Sequence, residues 1–153
     1  MTALVAILAQ EDATEVAAGV ARRLSGRAVV IPYDVLLQGW PVTPGDPEEL
    51  DLLTAKQVKL LTAGYVRAGF HVVLHGSFGE AGRRSEEGIS TLLGLMRTVP
   101  GVHTLLVETR GGSGDGATAH PGADLTIAIR ERPADDAAAA IIEALPLEAI
   151  DAG

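Results

Sequence analysis

The chain has 153 residues, 47% of them hydrophobic but only 3% aromatic, and carries 20 acidic against 12 basic side chains for a formal net charge of −8. That length suits one domain, residues 1–153, with a sizeable core of Ala, Val, Leu and Ile, and the absence of cysteine excludes disulfides, thiolate nucleophiles and thiolate metal sites. The acidic balance repels phosphate backbones, so nucleic acid is not an expected partner.

The opening stretch, MTALVAILAQEDATE, has no basic start and meets acidic residues after a short apolar run. It does not read as a signal peptide, and no apolar run nears the roughly 18 to 20 residues of a membrane span. No membrane partner is expected, and the expected location is cytoplasmic. Residues 4–9 (LVAILA) read as a buried parallel strand. Asp12 then reads as a helix N-cap, with Glu15 completing a capping box. The helix beyond it carries Val16, Val20 and Leu24 on one stripe and stops near Ser25-Gly26. A second strand over 28–31 ends at Pro32-Tyr33-Asp34.

Residues 38–47 hold Pro41, Pro44 and Pro47 with two glycines, which predicts a loop. Asp46-Pro47-Glu48-Glu49 is a helix start, with Asp as cap and Pro at the first helical position. Leu50, Leu53, Leu60 and Leu61 fall on one side of that helix, expected to run to about Ala68. A third strand over 70–74 (FHVVL) leads through a polar turn, 76–84, into a helix capped by Ser85 and striped by Ile89, Leu92, Leu93 and Met96. A fourth strand spans 102–107, and 110–121 is glycine-rich. A fifth strand spans 124–129, and Asp135-Asp136 opens a last helix that ends before Pro146. Alternating strands and helices imply right-handed crossovers, hence a three-layer α/β/α sandwich around a five-stranded parallel sheet.

Four stretches give this layout a family likeness. Val29-Val30-Ile31-Pro32-Tyr33-Asp34 is a strand ending in an acidic residue. Ala68-Gly69-Phe70-His71-Val72-Val73-Leu74 is followed by Gly76-Ser77-Phe78 and Arg83-Arg84. Residues 124–129 with the helix past Pro133 close the chain, and a glycine-rich segment starts at Arg110. Together they resemble the small-molecule and nucleotide kinases of the P-loop superfamily, above all the zeta-toxin and polynucleotide-kinase-like branch. The resemblance implies ATP and magnesium as cofactors, Asp34 near a phosphoryl acceptor, arginines after the third strand, and a lid at the glycine-rich segment.

The departures from that family lie in its chemistry. Its loop after the first strand is G-x-x-x-x-G-K-[ST], whose backbone amides wrap phosphates and whose lysine reaches the β/γ-phosphates. Here the place reads Ala9-Gln10-Glu11-Asp12-Ala13-Thr14-Glu15, with no glycine or lysine, and only Thr14 stands where the hydroxyl belongs. The two lysines of the chain, Lys56 and Lys59, lie in the second helix. The family's aspartate near the end of strand three is His75 here. Glu11, Asp12 and Glu15 crowd a helix end that would otherwise draw an anion. Two like charges about 4 Å apart cost on the order of 4 kcal/mol at an effective dielectric near 20. These departures predict a degenerate Walker A loop and a pseudokinase-like chain without ordinary ATP-dependent catalysis and without a cofactor, the alternative being ATP and magnesium at an atypical site.

Other motifs weigh against their plainer readings. Gly111-Gly112-Ser113-Gly114-Asp115-Gly116-Ala117-Thr118 has phosphate-loop spacing, but His120-Pro121-Gly122 and a strand follow where a helix should open, which favours a lid or surface loop. His75-Gly76-Ser77-Phe78-Gly79 is similar to an oxyanion turn of α/β-hydrolases, which gives a serine hydrolase using Ser77 as a further alternative, although no G-x-S-x-G elbow is present. His71 and His75 share a face of a strand but sit roughly 13 Å apart at about 3.3 Å per residue, too far to share a metal. His71 reads as structural. His75 and Asp34, at the carboxyl edge of the sheet, are the catalytic candidates; Ser77, Arg83, Arg84, Arg110 and Thr14 are the ligand-binding ones, and no metal is expected. Asp34 serves equally as a cap or turn residue, and Arg83 or Arg84 equally as a partner of Glu80, Glu86 or Glu87. Trp40 either lines a pocket or packs the proline-rich loop. The residues leave open whether the chain is an enzyme, and they leave room for a small-molecule ligand and for a homodimer.

Overall fold

The computed structural model describes residues 2–9, 13–33, 47–76, 94–110, 124–128 and 133–146. Strand β1 (Thr2–Ala9) leads to helix α1 (Thr14–Arg23), then β2 (Arg27–Pro32), α2 (Pro47–Arg67), β3 (Phe70–Gly76), β4 (Val102–Arg110), β5 (Leu125–Ala128) and α3 (Ala134–Glu143). The strands lie side by side in the order β2-β3-β1-β4-β5, every neighbouring pair parallel. The expected α/β fold on a parallel sheet is met.

β1 explains why its sequence is continuously apolar. Ala3, Val5 and Ile7 point into a core shared with Val16, Ala17 and Val20 of α1 and Ala137, Ala138 and Ile141 of α3. Leu4, Ala6 and Leu8 point the other way, against Ala55 and Val58 of α2 and against Met96. A strand covered on both faces has no polar side to show, so the alternation typical of half-exposed strands vanishes.

Several boundaries differ from the sequence reading. The N-cap of α1 is Ala13, not Asp12, and the helix starts at Thr14 with no side-chain cap hydrogen bond. β3 runs on through His75 and Gly76, and β4 through Glu108, Thr109 and Arg110, because strand pairing holds polar residues that look like loop in isolation. Asp124 precedes β5 rather than opening it: its carboxylate accepts from the Leu106 N–H at 2.8 Å, and its own N–H donates to the Leu106 carbonyl at 2.8 Å.

The larger correction concerns α2. Pro47 does open it, but its leucine side is not its buried side. Ala55, Val58 and Thr62 are buried, whereas Leu53 and Leu61 are each 41% exposed and Leu60 is 73% exposed. Gly69, at φ 85°, turns the chain out of α2 and into β3, with its N–H on the Val66 carbonyl. The proline-rich loop with Trp40, the cap Asp46, the glycine-rich 111–121 and residues 85–93 of the helix expected from Ser85 through Met96 lie outside the described residues, whereas 94–97 are helical with Met96 buried.

Candidate functional site

Among the described residues, β1 and β3 are neighbouring strands that send the chain to opposite faces. After β1 the chain enters α1, packed on one face of the sheet; after β3 it reaches Met96, packed on the other. In open α/β sheets a crevice forms beyond the carboxyl ends of two such strands. The site is therefore sought at the ends of β1 and β3.

There Ile7 pairs with His75, and Leu8 with Gly76. His75 is only 8% exposed and falls on the α1 face, the side taken by Ile7 and Val73. Gly76 has φ 154°, which a Cβ would strain, so the backbone leaves β3 in a conformation reserved for glycine. On the other side of β1, Ala9 pairs with Thr109, which is buried on the α1 face and whose hydroxyl donates to the Leu8 carbonyl at 3.5 Å. Glu108, half-buried, pairs with Leu8 and falls on the α2 face. Arg110 ends β4 opposite Ala128.

Strand spacing sets what these groups can do together. His75 and Thr109 lie two strands apart and two residues out of step along β1, so their Cα atoms are separated by about 12 Å. They do not form a nucleophile–base pair, which needs about 3 Å between heavy atoms. Among the described residues, no group of three or more His, Asp or Glu side chains could hold a metal ion.

The start of α1 faces the same edge. Its first turn closes with the Ala17 N–H on the Ala13 carbonyl at 2.9 Å, so the helix begins at this edge of the sheet. Thr14 and Glu15 are exposed there, while Ala13 is 2% exposed. If Thr14 is aligned with the hydroxyl of G-x-x-x-x-G-K-[ST], the lysine position falls on Ala13 and the first glycine on Ile7. Ile7 is fully buried and paired on both sides, to His75 and to Val107. Only residues 10–13 separate the strand from the helix. Lys56 and Lys59 belong to α2, so the sheet stands between them and α1.

Of the residues singled out from sequence, the structure sets Thr14 and His75 on one face of one edge and Arg110 at the end of β4. Asp34, Ser77, Arg83 and Arg84 lie outside the described residues. Glu108 and Thr109 were missed; the β-branched Thr109 following Leu105-Leu106-Val107 was the one available hint that β4 continues. His71 has the structural role expected of it. Its Nδ1 accepts from the Ala3 N–H at 3.0 Å, which fixes the proton on Nε2, 2.7 Å from the Ser25 carbonyl. The ring ties β1, β3 and the exit of α1 at the edge away from the candidate site.

No protein-family model matches the chain, and no curated protein is similar to it in sequence. Solved structures are similar in fold. The protein APE1195 superposes with a TM-score of 0.71 at 11% identity, covering 93% of this chain and 93% of that one. The APS kinase CysC of Mycobacterium tuberculosis gives a TM-score of 0.62 at 16% identity over 93% of this chain and 95% of that one. A sugar kinase of Janibacter sp. HTCC2649 gives 0.61 at 13% identity over 94% of each. At these identities the likeness speaks for architecture: the chain has a P-loop-kinase-like α/β fold.

Proposed function

We propose that this P-loop-kinase-like chain does not carry out ordinary ATP-dependent phosphotransfer and instead holds a small ligand at the carboxyl ends of β1 and β3. One observation carries the proposal: only residues 10–13 join β1 to α1, and the lysine position of a phosphate loop is a buried alanine, Ala13. A loop that wraps a polyphosphate needs free backbone on both sides of the phosphates and a lysine reaching the β/γ oxygens. Here the position of the first glycine is Ile7, locked between two strands, and neither lysine of the chain lies on the α1 face. Glu15 in the first helical turn adds negative charge where phosphate would sit.

The ligand half of the reading rests on the switch point between β1 and β3, with His75 at it and a backbone exit at Gly76 that has no side chain. Calorimetric titration with Mg-ATP tests the proposal. The expected result is no binding tighter than about 1 mM, equivalent to roughly −4 kcal/mol. A micromolar dissociation constant would overturn it and leave a phosphotransferase with an atypical nucleotide site.

A further inference from the structure

The outward face of α2 carries exposed leucines at a regular spacing. With Ala55, Val58 and Thr62 turned to the sheet, 100° per residue sets Leu53, Gln57, Leu60 and Gly64 in a line on the opposite side. Their spacings of four, three and four are those of a coiled-coil seam, and all four are exposed. Leu60, at 73% exposure, is the extreme case. Three leucines of one helix, Leu53, Leu60 and Leu61, turned away from the core form an exposed apolar patch of the kind that partners cover.

The charge order along the same helix says by what. Glu48, Glu49 and Asp51 stand in its first turns, and Lys56, Lys59 and Arg67 follow, in a chain whose only two lysines are these. With acidic first turns and Arg67 in the last turn, the two ends of this helix attract when two copies run antiparallel and repel when they run parallel, while Lys56 and Lys59 lie near the middle. We propose that the outward face of α2 pairs, antiparallel and about a two-fold axis, with the same face of a second copy of this chain. In such a pair the layers bring Gln57 opposite the partner's Leu60 and Leu53 opposite the partner's Gly64. A Cβ at Gly64 would meet nothing within 4 Å in the single chain, so this glycine leaves room for an incoming leucine. The acidic first turns then lie beside the partner's Arg67. A two-fold contact of this kind needs only one surface to be self-complementary, which is what a single helix of split charge provides.

The 21 residues of α2 make a strip about 30 Å long and one helix wide. That is less than the roughly 800 Å² per partner of a standard interface, so the dimer dissociates in the micromolar range. Sedimentation velocity across about 1 µM to 1 mM protein tests it. The expected mass rises with concentration from 15.8 kDa toward twice that value. Leu60→Asp raises the dissociation constant at least about tenfold, as burying an unpaired carboxylate in the seam requires. Gly64→Gln does the same without lowering the thermal stability of the dilute chain, since a Cβ at that site meets nothing within 4 Å in the monomer. A single-chain mass across the whole range overturns the proposal, and so does a dimer whose dissociation constant neither substitution moves.

Discussion

On the α1 and α3 face, two helices rest against the sheet and against each other, and small residues make that closeness possible: Ala17 and Gly19 in α1, Ala137 and Ala138 in α3. On the other face, α2 rests on the sheet through Ala55, Val58 and Thr62 and turns Leu53, Leu60 and Leu61 outward. Both faces are built on the same principle: what touches the sheet is small or β-branched, because a helix lies closest where its side chains are short. The difference is what remains. Among the described residues, α1 and α3 expose no large apolar side chain, whereas α2 exposes three. Leucine content therefore does not identify the buried side of a helix on a parallel sheet.

The first test strikes the α1 face at its latch. His71→Leu removes the acceptor of the buried Ala3 N–H and the donor to the Ser25 carbonyl while keeping an apolar body of similar bulk. Two groups lose partners at once, and unfolding by urea should register a loss of about 3 kcal/mol. A loss below about 1 kcal/mol would mean that water reaches both groups and that the ring is no latch.

The second test sets the two sides of α2 against each other. Val58→Ala empties space at a fully buried position and should cost about 2 kcal/mol. Leu60→Ala deletes a larger side chain at a 73% exposed one and, measured at a dilution where the chain is single, should stay within about 0.5 kcal/mol. If the leucine proves the costlier of the two, the orientation of α2 is reversed.

That orientation marks the boundary of what the sequence could tell. The strands were legible because runs such as LVAILA and FHVVL are too short and too apolar for anything but a strand covered on both sides. The start of α2 was legible because Pro47 after Asp46 fits only a first helical turn. Its buried side was not, since the helix offers two apolar stripes, Leu53 with Leu60 and Val58 with Val66, and only packing chooses between them. At the site, the missing glycines and lysine after β1 could be read directly. The burial of Ala13, the register of Ile7 with His75, and the continuation of β4 through Glu108 and Thr109 could not, because each depends on which strand becomes a neighbour.

The finest version of the comparison uses two glycines in the middle of two helices. A Cβ built on Gly19 of α1 would lie 2.9 Å from the Cβ of Ala138 in α3, closer than two carbons can approach. Alanine there gains about 1 kcal/mol of helix propensity but forces the helices apart at a cost of about 1 to 3 kcal/mol, so Gly19→Ala should be a net loss of about 1 kcal/mol. At Gly64 of α2 the same atom meets nothing within 4 Å. Gly64→Ala keeps the propensity gain with no opposing clash and should stabilise the dilute chain by about 0.5 to 1 kcal/mol. The pair of urea midpoints is informative through its signs. Two gains would mean that α1 and α3 stand farther apart than 2.9 Å between those carbons implies, and two losses would mean that the outward face of α2 is already covered within a single chain.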